Sequence, residues 1–473
     1  MLRVKGLSAV DAQTIKDLLS VANPKRAQAR RFAGWASNDI PKYLVGFVPD
    51  ADDLLIAPGA GAAVWSTLRQ LGYLVTFGSP EPTITPFGEY LGELRPEQHE
   101  AMDALGSRRQ GYVLAPCGSG KTELGIALIH KRGVRALVIV HTQELLHQWK
   151  DRIEKRLGFK PALLGGGHKR NADFTSPVIV GTVQWLRANS VVLQTQLADR
   201  ELVMVDEAHH TPATTFTEVL AKMAPVYRYG LTATDVRADG LTPMLEWWIG
   251  PKLAEIKRSS LEAAGSVIRP HLRVIGVGCV LATVDSNEPG DYTRMMKALV
   301  EDKDRLRYVC SEIERLSAIY GHHLVLASWS TYAAAITERI VGAELVTGKT
   351  PKKQRVDTIR RFQEGQIPVL VATTLADEGL DVTRITDLWL TMPTRSAAKT
   401  EQRVGRAARS HPGKMAATVH DFVDVGVVST RGGEATGRLL VNQFMHRFNA
   451  VYKRVCDYDD REIATMRALR RNL

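Results

Sequence analysis

The chain is poor in the features that mark a secreted, membrane-embedded or metal-stapled protein. It has four cysteines, Cys117, Cys279, Cys310 and Cys456, and no two of them form a CxxC pair. That spacing excludes a zinc ribbon and a secreted disulfide framework. No apolar run approaches the roughly 18 residues that span a bilayer. The opening stretch MLRVKGLSAVDAQ carries charged and polar residues where a signal peptide needs an apolar core. No repeat recurs at a period of about 20–50 residues, and no tract is of low complexity. No PD-(D/E)xK pattern marks a nuclease. A reduced, cytoplasmic, globular chain is expected.

What is present is ordinary in bulk and informative in detail. Hydrophobic residues make up 44% and charged residues 24% of 473, a composition that buries a core. At about 150 residues per domain the length predicts three domains, or two and an appendage. The charge balance of 62 − 51 = +11 points to a polyanionic partner. The Pro/Gly-rich segment GSPEPTITPFG (78–88) reads as a linker. It closes an N-terminal module, 1–88, whose stretch 42–65 looks β-rich with turns at PDADD and PGAG. Beyond it, short apolar runs alternate with amphipathic ones: GYVLAPC (111–117), RALVIVH (135–141), SPVIVGTV (176–183), ELVMVDEAHH (201–210) and YRYGLTAT (227–234). The rhythm breaks near 241–300. It resumes with HLVLASW (323–329), AELVTG (343–348), IPVLVATT (367–374), TDLWLTMP (386–393) and AATVHDF (416–422). Such alternation predicts parallel sheets covered on both faces. The expected organisation is an α/β lobe over 89–255, a connector or inserted element over 256–300, a second α/β lobe over 301–428, and a basic helical tail over 429–473. The tail reads as a solvated capping helix or as part of the fold. EWWIG (246–250) reads as core.

Residues 115–122, APCGSGKT, stand between a predicted strand and a predicted helix, the context in which a phosphate loop forms. Small residues let the backbone N–H groups of Pro116–Thr122 curl around a phosphate, and the helix N-terminus adds its dipole. Lys121 would reach the β/γ-phosphates and the Thr122 hydroxyl would ligate Mg²⁺. The residues Pro116, Cys117, Gly118, Ser119 and Gly120 would form the cradle. VDEAHH (205–210) ends an apolar run on two carboxylates, which are costly there unless a cation or proton uses them. Asp206 would hold Mg²⁺ through water, and Glu207 would deprotonate the attacking water. His209 and His210 are adjacent and point in different directions, which argues against zinc. In QRVGRAAR (402–409), Arg406 and Arg409 lie three apart on one helix face, the pattern of an arginine finger or of a solvated basic helix.

As a set, these segments resemble the motifs of superfamily 2 helicases and translocases of the DEAH type. LRPEQ (94–98) resembles the adenine-reading segment, and APCGSGKT, VDEAHH and LTAT (231–234) resemble motifs I, II and III. VIVHTQELLHQW (138–149) and VGTVQ (180–184) resemble Ia and Ib. VATTLADEGLDV (371–382) resembles motif V and QRVGRAAR motif VI. They stand in the family's order over residues 91–425. GLTATDVRADG (230–240) is similar to the XPB-like and phage UvsW-like branch. That branch carries Arg-Glu-Asp where this chain has Arg237, Ala238 and Asp239, so the central acid is missing.

The resemblance implies two tandem RecA-like lobes, ATP and Mg²⁺ as cofactors, and DNA, single-stranded, duplex or branched, as partner, with RNA less favoured. It implies Gln98 as adenine reader, Gln402 as positioner of water or γ-phosphate, and Arg406 and Arg409 as transition-state arginines. Gly379 and Asp381 would couple nucleic acid to nucleotide. Thr142, Thr182, Gln184, Ser328, Lys349, Lys352, Lys353, Thr373 and Thr374 would contact the nucleic-acid backbone. In this branch a leader such as 1–88 recognises DNA; packing against the first lobe is the other reading. A location at the nucleoid, or in the host cytoplasm for a phage protein, follows. The expected activity is an ATP-dependent DNA helicase or translocase on branched, forked or duplex DNA. A duplex translocase without strand separation, an RNA-dependent ATPase and a binding protein with a regulatory ATPase remain open.

Overall fold

The computed structural model describes residues 1–473 except 27–39, 77, 79, 168–172, 212–213, 235–239, 279–290, 320, 374–381, 426–436 and 472–473. The chain forms two compact units, Met1–Ser260 and Leu261–Leu473. Among the described residues no helix is long and apolar enough to cross a membrane.

The first unit opens with β1 (Leu2–Val4), helix α1 (Ala9–Leu18), β2 (Ser20–Ala22), β3 (Tyr43–Val45), β4 (Phe47–Asp50) and β5 (Asp53–Ile56). β1, β5 and β4 make an antiparallel sheet, and β2 pairs with β3. The stretch 42–65 is strand only as far as Ile56. Pro58–Ala60 is a 3-10 turn and α2 runs Gly61–Gln70, burying Val64 and Leu68 one turn apart. Ile15, Leu19, Leu54, Ile56, Val64 and Leu68 share one core with Leu245, Trp247 and Trp248. The segment therefore packs on the first lobe through EWWIG, whose tryptophans are core. The approach is closest at Gly59, where a Cβ would lie 2.2 Å from Glu246 O and 2.4 Å from Gly250 N. Both neighbours are backbone and cannot swing away. Gly59→Ala is expected to cost at least about 1–3 kcal/mol and to lower the melting temperature of the full chain by several degrees in a calorimetric scan.

The lobe itself adds α3 (Pro96–Gly106), β6 (Gln110–Leu114), α4 (Lys121–Arg132), β7 (Ala136–Val140), α5 (Gln143–Leu157), β8 (Ala162–Leu164), β9 (Val178–Thr182), β10 (Leu202–Asp206), β11 (Tyr227–Thr232), α6 (Thr242–Ile249) and β12 (Lys252–Glu255). The seven strands lie in the order β12-β6-β11-β10-β7-β9-β8, all parallel. Strands β7, β9 and β10 are buried along their whole length, which is why they read as unbroken apolar runs. α5 starts at Thr142, whose hydroxyl accepts from Leu145 N, and stops at Gly158 with φ 74°. Leu146, Trp149, Ile153 and Leu157 form its buried stripe, the spacing of a helix against a sheet.

The second unit holds β13 (His271–Val277), β14 (His323–Ala327), β15 (Ala343–Val346), β16 (Val369–Thr373), β17 (Asp387–Leu390), α7 (Ala397–Ala407), β18 (Thr418–Asp424) and α8 (Gly437–Arg447). Its six strands lie in the order β13-β18-β17-β14-β16-β15, again all parallel. β13 falls in the stretch read as a connector. Its seven-residue register with β18 makes it a strand of this sheet. The tail is helical and not a solvated cap. Val441, Phe444, Phe448, Val451 and Tyr452 are buried in the unit's core, with a π-helical turn over Phe448–Tyr452.

Candidate active site

In the first unit the loop 115–120 leaves β6 and motif II leaves β10, two strands away across β11. Both emerge at the carboxyl edge of the sheet, where open parallel sheets hold ligands. Pro116, Cys117, Gly118, Gly120, Lys121 and Thr122 are half-buried and Ser119 is buried. Gly118 (φ 86°) and Gly120 (φ 74°) take left-handed conformations. A Cβ on Gly120 would stand 2.4 Å from Gln98 Nε2.

Gln98 explains that crowding. It is 1% exposed. Its Oε1 accepts from Arg95 N at 2.8 Å, and its Nε2 donates to Ser119 O at 2.8 Å and Gly120 O at 3.2 Å. Arg95 Nη2 adds a bond to Gly118 O at 3.1 Å. Both amide protons of the expected adenine reader are thus spent on the phosphate loop, and the side chain holds the loop's backbone. Gly120→Ala would combine left-handed strain of about 1–3 kcal/mol with loss of that latch. It is expected to raise KM for ATP by at least about tenfold, the equivalent of roughly 1.4 kcal/mol, in steady-state assays.

Lys121 Nζ donates to Glu207 Oε1 at 3.0 Å, with both side chains largely buried. Burial alone would pull the lysine pKa down. Glu207, Cys117 and Asp206 outweigh it, and the pKa ends raised. Burial likewise pushes Glu207 up, but Lys121 and then His209 dominate and hold it down at about 2. Asp206 goes the other way. Burial and the Glu207 charge raise it, against Lys121, the Trp149 bond and the Glu207 amide. Trp149 Nε1 donates to Asp206 Oδ2 at 2.7 Å, and Glu207 N donates to Asp206 Oδ1 at 2.9 Å. Glu207 sits at φ 49°, ψ 52°, a left-handed conformation that costs of order 1–3 kcal/mol for a non-glycine residue. Its Oε2 is buried, has no hydrogen-bond partner among the described residues and lies 3.4 Å from His209 Nδ1. A buried carboxylate oxygen with this ionic contact and no hydrogen bond among the described residues needs a functional account. Motif III joins here. The Thr232 hydroxyl donates to Thr234 O at 2.7 Å, which leaves His209 Nδ1 as donor in its 3.0 Å contact with Thr232 Oγ1. The rings of His209 and His210 lie 4.3 Å apart, and His210 lies 4.5 Å from His141 of motif Ia.

In the second unit the motif VI helix α7 is capped by Ser396, which accepts from Lys399 N. Thr400, Glu401, Arg403, Val404, Gly405 and Ala407 are buried, while Gln402, Arg406 and Arg409 are half-buried. Gln402 and Arg406 lie one turn apart on this helix, but the helix ends at Ala407, so Arg409 does not share its face as the spacing predicts; it stands two residues beyond, bridged to Val267. With Arg403 buried and Arg406 and Arg409 half-buried, the segment is not a solvated basic helix.

The expected nucleic-acid contacts divide. Thr142 caps α5, and Thr182 is buried, with Gly165 so close that a Cβ there would lie 2.5 Å from its hydroxyl. These threonines have packing roles that the sequence did not show. Gln184 is exposed and donates to His141 O at 3.0 Å, tying motif Ib to Ia. Ser328 lines a cleft with Trp329, Thr394, Lys399 and Arg403. Lys349 and Lys353 are exposed. Thr373 is buried at the end of β16, its hydroxyl without a hydrogen-bond partner among the described residues. Gly379, Asp381, Thr374, Arg237, Ala238 and Asp239, and the side chain of Lys352, lie outside the described residues.

Residues 91–237 match the family described as Type III restriction enzyme, res subunit, and residues 304–411 match the Helicase conserved C-terminal domain. The chain is 28% identical over 333 residues to a DNA 3'-5' translocase XPB2 of Sulfurisphaera tokodaii, covering 61% of this chain and 72% of that protein. It is 28% identical over 380 residues to a DNA 3'-5' helicase XPB of Kineococcus radiotolerans, covering 76% of this chain and 65% of the relative. With a probable helicase D10 of Escherichia phage T5 the identity is 27%, over 68% of this chain and 69% of the relative. A solved structure described as the crystal structure of T4 UvsW is 17% identical over 96% of each chain, with a TM-score of 0.39. Two helicase-family matches, in order, fall on two parallel-sheet lobes that carry an ATPase motif set. The chain is an ATP-dependent enzyme of the helicase class, and it is similar to the XPB-like proteins.

Proposed function

We propose that the protein is a DNA-dependent ATPase that moves along DNA in the 3'-5' direction and remodels branched, forked or duplex substrates. Repair or recombination would be its setting. The observation that carries the reading is the Lys121–Glu207 contact beside Asp206 at the carboxyl edge of the first sheet. The names of the two XPB relatives give DNA and direction, and the +11 charge suits a polyanion.

In this reading ATP phosphates enter the loop 116–122 and compete with Glu207 for Lys121. Transfer of the ammonium to the phosphates removes the largest influence holding the Glu207 pKa down. Burial then raises it toward the value a general base needs near neutral pH. Activation of the water falls to Oε2, the oxygen without a hydrogen-bond partner among the described residues. Asp206 and Thr122 are the residues that would hold Mg²⁺, an oxygen-donor pair suited to a hard cation; the metal would neutralise charge on the phosphates. Arg406 and Arg409 would meet the charge that develops in the transition state. Gln98 can read a base only by releasing the loop, which would couple nucleotide entry to loop movement.

The test is steady-state ATP hydrolysis without nucleic acid, then with single-stranded, duplex and branched DNA and with RNA, using Glu207→Gln as blank. Stimulation by branched or duplex DNA is expected. Strand displacement on 3'- against 5'-tailed forks then separates a helicase from a duplex translocase and fixes direction. Stimulation by RNA alone would overturn the substrate assignment.

A further inference from the structure

Motif VI ends at Arg409, two residues beyond its helix, yet carbonyls at the helix end and at its exit are served by a residue outside every motif. The last carbonyls of a helix lack partners within the helix. Lys414 follows the turn His411–Gly413, where Gly413 takes φ 79° and Lys414 N donates to His411 O. Its Nζ returns to Ala407 O at 2.5 Å and to Arg409 O at 2.9 Å, and reaches Thr383 O at 3.4 Å. Thr383 directly follows the motif V stretch 371–382. One ammonium thus spans the end of motif V and the end of motif VI. The other side of the same backbone is held by a bridge between Val267 and Arg409, by Ile268 N donating to Ala408 O at 2.7 Å, and by Ser410 Oγ donating to Ser266 O at 3.0 Å.

We infer that Lys414 is a positioning residue for Arg409, fixing the main chain that carries this arginine and linking it to motif V. The placement is purposeful in energetic terms. Burial, then the Arg409 charge, press the Lys414 pKa down to about 8 against a smaller pull from Asp387. A group that only needed solvation would not be kept there at that cost. A neutral side chain of similar length would leave three carbonyls short of a donor. The guanidinium of Arg409 would keep its chemistry but lose its fixed origin. A misplacement of about 1 Å can cost roughly 10²-fold in rate.

This inference rests on the assignment of Arg409 proposed above, and the experiment separates the two. Lys414→Met, Lys414→Arg, Arg409→Ala and the Arg409→Ala/Lys414→Met pair are made in the full chain. DNA-stimulated kcat and KM for ATP are measured, with melting temperature as the check on folding. Lys414→Met is expected to lower kcat by about one to two orders of magnitude with KM within about twofold. Lys414→Arg, which keeps a cationic donor, should recover most of the loss. Adding Lys414→Met to Arg409→Ala should cost nothing further, because a positioning residue has nothing left to position. Unchanged kcat in Lys414→Met, or a loss that adds to that of Arg409→Ala, would overturn the proposal while leaving Arg409 assigned. If Lys414→Met fails to fold, a Lys414→Arg protein that folds but turns over as slowly as Arg409→Ala would also overturn it. Full turnover in Arg409→Ala would remove both.

Discussion

Glu207→Gln is expected to bind ATP and fail to hydrolyse it, with kcat reduced by about 10²–10⁴. Glutamine keeps the shape and an oxygen that can accept from Lys121, so the 3.0 Å contact has a neutral successor. What is lost is the charge, and its loss acts on three groups. The water has no base. Lys121 keeps only Asp206 and Cys117 among the groups that sustain its ammonium against burial, and so becomes a readier donor to an incoming phosphate. Asp206, whose pKa the Glu207 charge helps to raise, ionises more readily. Each of the last two changes favours nucleotide in the ground state. Affinity for a fluorescent ATP analogue should therefore hold or rise while single-turnover hydrolysis collapses. Hydrolysis at the wild-type rate would remove Glu207 from the role of base. A parallel fall in affinity would mean that its charge serves to build the loop and not to activate water.

The fold is legible in the sequence where a residue's neighbours in sequence decide its structure. VMVD and VLVAT are unbroken apolar runs because both faces of their strands are covered, and β10 and β16 lie where those runs stand. Glycines that must take left-handed conformations mark the phosphate loop, and the helix after it starts at Lys121. It is hidden where the partner is remote in sequence. KLAE and HLRVIGV are edge strands, partly exposed and interrupted by polar residues. Only pairing with a strand about 140 residues away makes the first part of a sheet, and the second is likewise defined by its distant partner, β18. The tail's Phe444, Phe448 and Tyr452 repeat at helical spacing, but spacing does not say what a face covers. Here it covers lobe core, and Arg447 of the same helix is buried against Asp421 at 2.8 Å while donating to Thr394 O. Gln98 shows the limit for the site. An amide can serve a base or a backbone equally well, and only the 2.8 Å distance to Ser119 O reveals which it serves here. Trp149 could be placed on a buried stripe from its spacing. Its bond to Asp206, 57 residues on, could not.

Arg409→Ala is expected to leave ATP affinity roughly unchanged and to slow hydrolysis by about 10³, the scale of arginine fingers. Every group proposed as a ground-state phosphate ligand, from Pro116 to Thr122, belongs to the first unit, as does the acid pair of motif II. Arg409 belongs to the second. Removing it leaves the loop, its latch through Gln98 and the Lys121–Glu207 contact intact. Its own backbone is fixed by Lys414 and Val267 whatever its side chain, so a folding defect is not expected. Arg406, three residues earlier in the last turn of the helix and likewise half-buried, gives the internal comparison. If the two arginines share the developing charge, each single alanine should lower kcat with little change in KM, and the double variant should lose far less than the product of the two losses. Lysine at 409 restores the charge but not the planar fork, so Arg409→Lys should recover only a fraction of the rate. A collapse of nucleotide affinity in Arg409→Ala would instead make this arginine a ground-state binder, part of the binding site and not of the transition state.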